Sequence, residues 1–346
     1  MTKATSTRGS RRRELTLNRK DLTMGNMNTA VANLQPLTRD EWLRERRKGI
    51  GASDVAAALG LDRYKSPLTL WAEKRGELPE RKETFPMRMG KMMEPVLHQF
   101  YEEETGRKLV DPGEYMIVVH PDFEWFRCTP DRLHVSDDHW HGAPCEMKAL
   151  GETTGKDFKD GGAGKLEYQI QLQAQIAILQ HDRGSLAAAV GNREFFPVDF
   201  DRHDAIIDKM IPALKYFMDC VVSGKQPDID HLASTTATLK ALHPKDNGAT
   251  VIADETAIDW IRRFEAAKEQ AKALEDEEAL AKNNLIAILG DATYLEFDDG
   301  RYSYKHQARK GSLKVETEYA FALRRSAIPF KETPESEFRV LRKHKT

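Results

Sequence analysis

Apolar residues recur along this chain at two spacings, helical and alternating, and the switches between them outline the elements. Thr38 and Glu41 have the separation of a capping box. Trp42 and Leu43 follow on the expected helix, which closes in the basic run from Arg44 to Lys48 before Gly49. From Ile50 to Gly60 the pattern predicts a tight turn at Gly51, a cap at Ser53 and a short apolar helix. A second helix is expected after Ser66-Pro67, carrying Leu68, Leu70, Trp71 and Lys74 to about Leu78. A third runs from about Met87 to Thr105 and stops before Gly106. It sets Met89, Met93, Val96, Leu97, Phe100 and Tyr101 near one stripe, with the methionines as core filling and Glu94 among them.

Strand-like segments follow at Tyr115–His120, Trp125–Cys128, Arg132–Val135 and Ala143–Lys148, with a polar hairpin connection from Ser136 to Gly142. A helix is expected from Lys165 to about His181. Gln169, Gln171, Gln173 and Gln175 alternate there with apolar residues, but the length favours a helix over a strand. Ser185–Gly191 and Glu194–Phe200 read as a hairpin, and Asp204–Ser223 as a helix containing Pro212 and ended by Gly224. Residues 225 to about 253 read as irregular and mark a domain boundary. Beyond them come a long charged helix, Asp254–Leu289, two strands flanking Asp298-Asp299-Gly300, a helix around Val315–Arg325 and a basic tail. The long helix reads either as a solvated face or as a partner contact.

At 346 residues the chain has room for about two domains. Its formal net charge of -2 gives no general affinity for nucleic acid, so a DNA site requires a local basic patch. Residues 1–20 set Lys3, Arg8, Arg11, Arg12, Arg13, Arg19 and Lys20 against Glu14, which reads as a basic arm or, as such tails more commonly are, a plain disordered leader. Cys128, Cys145 and Cys220 form no CxxC pair, which suits buried thiols in a reducing compartment. No apolar run reaches spanning length, and no secretory signal is expected.

The candidate chemistry lies between Asp131 and Lys148. Asp131 follows the turn Thr129-Pro130, and Glu146-Met147-Lys148 falls on the next strand. Alternate strand residues share a face, so Glu146 and Lys148 point together, and an antiparallel neighbour brings Asp131 beside them. Two carboxylates and an ammonium at one spot suit a divalent cation and an activated water. Other constellations are weaker. His139, His141 and Cys145 lack zinc spacing and a fourth ligand. The loop Asp160–Lys165 fails the phosphate-loop pattern, with Lys159 at the first glycine position and Leu166 in place of Ser or Thr; it reads as a flexible loop beside the site. No G-x-S-x-G occurs.

The ordered set Arg46 to Ser53 (RRKGIGAS), Gly90 to Pro95 (GKMMEP), Thr129-Pro130-Asp131, Glu146-Met147-Lys148 and Gln169-Ile170-Gln171 resembles the YqaJ-type viral recombinase family, related to lambda exonuclease among the PD-(D/E)XK nucleases. The resemblance implies an α+β fold: a restriction-endonuclease-like core with a mixed central sheet flanked by helices, and a C-terminal helical and hairpin appendage. The corresponding division is a basic tail at 1–36, the nuclease domain at 37–228, a linker at 229–253 and an appendage at 254–346. By resemblance Asp131, Glu146, the Met147 carbonyl and Glu94 hold Mg2+, with Mn2+ as a substitute. Lys148 activates the attacking water, and Gln169 positions water or strand. Arg46, Ser53 and Thr129 match positions that bind a terminal 5′-phosphate.

The implied activity is a 5′→3′ exonuclease on double-stranded DNA ends, producing 3′ single strands for a single-strand annealing protein in the cytoplasm of a bacterial host. A trimeric homo-oligomer is implied, and no membrane. The alternatives are an endonuclease of the same fold and a non-catalytic DNA-binding assembly protein. The sequence departs from the family at Thr129, where Ser is usual, and at Leu166, where Tyr is frequent.

Overall fold

A computed structural model describes residues 38–79, 83–136, 138–191, 193–298 and 300–309, and the strands Ser312–Leu313, Glu332–Thr333 and Ser336–Lys345. The basic segment before residue 38 and the expected helix at Val315–Arg325 lie outside the described residues. The chain forms two units, which divide between Asn247 and Gly248.

In the first unit α1 spans Arg39–Arg47 and opens with the expected capping box. Thr38 Oγ1 accepts from the Glu41 amide at 3.3 Å, and Glu41 Oε2 accepts from the Thr38 amide at 3.1 Å. Strand β1 (Ile50–Gly51), a tight turn (Ala52–Asp54) and α2 (Val55–Ala58) follow. Ser53 is exposed and caps nothing: Gly51 precedes the turn, and no side chain caps it or α2. Helix α3 (Pro67–Arg75) has Ser66 Oγ on the Thr69 amide at 3.1 Å, and Gly76, at φ 72°, ends it short of Leu78.

Helix α4 (Phe85–Thr105) buries only Leu97 and Tyr101. Met89 is 40% and Phe100 44% exposed, so the expected stripe is narrower than the sequence suggested and Met89 does not fill the core. The reason is that α4 lies on a sheet face, where Leu97 and Tyr101 suffice to meet Cys145, Met147 and Ala187; of the α4 methionines, Met93 packs against that cluster.

The central sheet has the order β2-β5-β6-β7-β8: Lys108–Val110, Arg132–Val135, Pro144–Leu150, Arg183–Val190 and Glu194–Asp201. Only β6 and β7 are parallel, which makes the sheet mixed. A parallel pair needs a crossover. It comprises a short α5 (Glu152–Gly155) and α6 (Leu166–Ile178). Leu172 and Ile176 of α6 pack on Leu186, Ala188 and Val190, while the intervening Ala187 faces α4. Strand alternation thus sends neighbouring residues to helices on opposite faces.

Beside it a small sheet joins β1 to β4 (Phe126–Cys128) and β4 to β3 (Val118–Val119). Helix α7 (Asp204–Ser223) packs Ile207, Met210, Leu214 and Phe217 into the same core as Ile50, Val55, Leu68 and Trp71. Helix α8 (Ala233–Leu242) occupies part of the stretch expected to be irregular. Its polar sequence hides it; Thr69 Oγ1 meets Thr238 Oγ1 at 2.8 Å and the Ser66 amide donates to Ser234 Oγ at 3.1 Å, so tertiary bonds tie it to α3.

The second unit begins with α9 (Glu255–Leu289), capped by Asp254 Oδ1 on the Ala257 amide at 2.8 Å. Strands β9 (Tyr294–Phe297) and β10 (Gly300–Arg309) form the expected hairpin. A short pair, β11 (Ser312–Leu313) with β12 (Glu332–Thr333), follows. The expected basic tail instead contains β13 (Ser336–Lys345), antiparallel to β10. Among the described residues no helix is long and apolar enough to cross a membrane.

Candidate functional site

Asp131 sits immediately before β5, and pairing of Arg132 with Cys145 sets it beside the middle of β6. The Met147 amide donates to Asp131 Oδ2 at 2.8 Å. In an extended strand the N–H and C=O of one residue leave on the same edge, so the Met147 carbonyl also faces the Asp131 side. Glu146 and Lys148 project from the other pleat, toward α6. Glu146 is 2% exposed, and every contact it makes comes from a donor. Lys148 Nζ donates to Oε1, Gln171 Nε2 donates to Oε1 at 2.6 Å, and Gln175 Nε2 donates to Oε2 at 2.6 Å. Lys148 also reaches Gln171 Oε1 at 3.2 Å and lies 5.3 Å from the Tyr168 ring centre.

The glutamines that meet Glu146 are therefore Gln171 and Gln175, not Gln169. Gln169 Nε2 donates to the Gly164 carbonyl at 2.8 Å. Residues two apart on a helix stand about 200° apart, so Gln169 and Gln171 have nearly opposite directions, whereas four apart they share a face. That spacing pairs Gln171 with Gln175 in the sequence as it pairs Gln169 with Gln173, and the fold turns the first pair toward Glu146.

Burial pushes the Asp131 pKa up, and the Glu146 charge adds to it. Lys148, the Met147 amide and the rest of the surroundings leave it well above the usual carboxylate range. Glu94 is likewise raised by burial; Arg132 opposes this while Glu146 and Asp111 reinforce it. Glu94 Oε2 lies 3.8 Å from Arg132 Nη1, and Arg132 Nε donates to His98 Nδ1 at 3.0 Å. Burial would lower the Lys148 pKa, but the charges of Glu146 and Asp131 outweigh it and keep the ammonium protonated.

Acids that resist ionisation beside one another mark a place short of positive charge, which a cation relieves. Among the described residues no group of three or more His, Cys, Asp and Glu side chains is arranged to hold an ion by itself. The donors that do converge are hard oxygens, two carboxylates and a strand carbonyl, and these suit a hard divalent cation that keeps several of its waters.

Arg46, Ser53 and Thr129 fall around α1 and the turn after β1. Arg46 stacks 4.7 Å over the Trp42 ring, and Trp42 Nε1 donates to Thr129 Oγ1 at 3.2 Å, so Trp42 joins two of the expected residues. The Thr129 hydroxyl donates its own proton to the Met116 carbonyl at 2.6 Å. Next to Ser53, buried Asp54 is ringed by Lys74 at 2.7 Å, Lys65 at 3.4 Å and Arg46 at 3.7 Å. Burial raises its pKa, but these three cations prevail and hold it well below the usual range. The sequence reading placed Lys74 on its helix but joined neither it nor Lys65 to the site, because they stand apart from the basic run and meet it only in the fold.

The glycine loop is pinned: the Gly162 amide donates to Lys159 at 3.0 Å and the Gly164 amide to Asp157 at 3.0 Å. A Cβ on Gly164, at φ 77°, would fall 2.3 Å from the buried Phe158 ring. Packing and turn bonds give a reason for these glycines.

The mixed sheet with helices on both faces and the Asp131/Glu146/Lys148 group where β5 meets β6 define an α+β domain with a carboxylate–lysine site. Residues 41–182 match the model of the YqaJ-like viral recombinase domain. It is 27% identical over 270 residues to the "uncharacterized protein YqaJ" of Bacillus subtilis (strain 168), covering 76% of this chain and 82% of that one. Among solved structures it is similar to an alkaline exonuclease, LHK-Exo, from Laribacter hongkongensis, at 23% identity and a TM-score of 0.46, over 54% of this chain and 93% of that one. It is also similar to a phage related exonuclease from Haemophilus somnus 129PT, at 13% identity and a TM-score of 0.38, over 51% and 96% of the two chains.

Proposed function

We propose that the first unit is a Mg2+-dependent deoxyribonuclease with a PD-(D/E)XK core, degrading double-stranded DNA from its ends in the 5′→3′ direction. The observation that carries this reading is the convergence of Asp131, buried Glu146, the Met147 edge and Lys148. Mg2+, with Mn2+ as a substitute, would be held by Asp131, Glu146 and the Met147 carbonyl, with Glu94 beside them. When bound it would polarise the scissile phosphate and make an attacking water more acidic.

The chain's own groups do the rest. Gln171 and Gln175 fix both oxygens of Glu146 in one orientation. The Met147 amide does the same for Asp131. Lys148, held as an ammonium, would orient the water and balance charge growing on the phosphate oxygens. Arg46, with Ser53 and Thr129 nearby, would hold a terminal 5′-phosphate, and a pocket for an end selects ends over internal sites. The product would be a 3′ single strand for an annealing protein in a bacterial host, with a trimeric ring as the source of processivity.

Linear duplexes with 5′-phosphate and 5′-hydroxyl ends and a covalently closed circle, compared with Mg2+ and with EDTA, test the reading. Mg2+-dependent loss of the phosphorylated linear duplex and survival of the circle are expected. Cutting of the circle would favour the endonuclease, and binding without cleavage the assembly protein.

A further inference from the structure

Helix α9 is 35 residues long and buries only Leu289. One ion pair, Asp259–Arg263 at 3.1 Å, is its only salt bridge among the described residues, so it is not held by a ladder of side-chain pairs. From Ala257 an apolar or small residue recurs at alternating steps of three and four as far as Ile288, interrupted only by Glu278. That is the seam of a coiled coil. The seam is open: Trp260 is 61%, Phe264 65%, Leu274 65% and Ile288 69% exposed.

Side-chain size decides what covers it. Against a second copy running parallel, each seam residue would meet itself. Trp260 would face Trp260, Phe264 would face Phe264, alanine would face alanine, and Glu278 would press its charge on its own counterpart. The flanking Arg263 would also meet Lys268 of the second copy. Against a copy running antiparallel, one register pairs the whole seam. In it Phe264 lies opposite Ala281, Leu274 opposite Ala271, Ile288 opposite Ala257, and Trp260 opposite the half-buried Leu285. Glu278 falls opposite Ala267, which leaves its carboxylate room to reach water. Large residues then meet small ones through most of the interface, as interdigitation requires. The flanks agree: Glu275 is brought to Lys268 of the second copy, twice by symmetry. The Lys268 stem covers Phe264, its ammonium 5.3 Å from the ring centre, and the head stays free for that pair.

We infer that α9 pairs with α9 of a second copy of this chain as an antiparallel coiled coil in this register. The inference concerns the second unit alone and does not rest on the nuclease reading.

The full chain tests it by cross-linking. Ala267→Cys and Glu278→Cys chains are made separately; the natural cysteines are buried and serve as the background. Under mild oxidation each variant alone is expected to stay uncross-linked through α9, and their mixture to give a cross-linked dimer. Adding Leu274→Lys to both, at the centre of the seam, is expected to abolish the cross-link while the circular dichroism of the chain is unchanged. Cross-linking of either single variant with itself would mean a parallel pair and overturn the inference. So would the absence of a cross-link in the mixture, or its survival with Leu274→Lys.

Discussion

Gln175 Nε2 lies 2.6 Å from Glu146 Oε2, a buried amide holding the oxygen that Lys148 and Gln171 leave free. Gln175 is fully buried, so it cannot itself touch DNA. Replacing it with Leu removes the donor and leaves a carboxylate oxygen uncompensated in a closed environment. Loss of such an orienting contact lowers metal affinity by roughly 10–100-fold. Gln175→Leu is therefore expected to shift the Mg2+ titration of DNA degradation to higher concentration, while Gln169→Leu, which touches only the Gly164 carbonyl, shifts it less. Equal shifts in the two variants would argue against Gln175 as a positioning residue.

In the proposed mechanism Lys148 supplies positive charge at the reacting position without competing for the metal. Lys148→Met keeps the length and apolar stem and removes the ammonium. Removing one group that stabilises transition-state charge costs on the order of 10²–10³ in kcat. The variant is expected to bind duplex DNA with little change and to degrade it at least 100-fold more slowly. A rate within a few-fold of the parent would remove Lys148 from the mechanism.

A second buried group links stability to pH. His134 is 2% exposed, with Nδ1 on the Ala143 carbonyl at 2.9 Å and Nε2 on the Tyr101 hydroxyl at 3.0 Å. That arrangement fits the neutral ring. Burial lowers its pKa to about 4; the Ala143 carbonyl opposes the shift and Arg107 adds to it. The unfolded chain takes up the proton first, so the stability is complete above about pH 6.5 and is lost as pH falls through 4. It amounts to about 3 kcal/mol. Urea unfolding across that range is expected to show a steeper decline for the parent than for His134→Gln. Parallel curves would place the acid sensitivity in the buried His120 or the half-buried His181.

What the sequence made legible was local. The capping box at Thr38, the glycine stop at Gly224, the hairpin that pairs β7 with β8 and the β5–β6 approach of Asp131 to Glu146-Met147-Lys148 are each set by residues close in the chain or by strand alternation. What it hid depended on distant partners. Helix α8 is polar and is held by bonds to α3 from more than a hundred residues away. Strand β13 exists through its pairing with β10. At the site, the alternating glutamines concealed a helical spacing, and only the geometry of α6 separates Gln171 and Gln175 from Gln169. The resemblance sets Thr129 at a position that binds a terminal 5′-phosphate; that its hydroxyl donates to the Met116 carbonyl is a contact that no spacing rule announces.

Gly164 gives a steric test of the loop beside the site. At φ 77°, with a Cβ 2.3 Å from the Phe158 ring, alanine meets both backbone strain and overlap. Overpacking of this kind costs typically about 1–3 kcal/mol. Gly164→Ala is expected to lower the melting temperature, whereas Gly161→Ala, which has nothing near its Cβ, carries only the backbone strain and lowers it less. The reverse order would mean that the loop is not held as described.

Arg46 provides the test of end recognition. Its guanidinium stacks on Trp42 and is 3.7 Å from Asp54, but Asp54 keeps Lys74 at 2.7 Å and Lys65 at 3.4 Å without it. Arg46→Ala is therefore expected to fold, with a small change in melting temperature. A hydrogen bond to a charged group contributes about 1.5–3 kcal/mol, so losing the contact to a terminal phosphate should reduce the preference for phosphorylated over hydroxyl ends by roughly 10–150-fold. The effect belongs in the ratio of kcat/KM values for the two ends, since hydroxyl ends never had the contact. Arg46→Lys restores charge but not the planar fork, and an intermediate preference is expected. If Arg46→Ala slows both ends equally, its role is to support α1 and Trp42, and the end-selecting cation must be sought at Lys65 or Lys74.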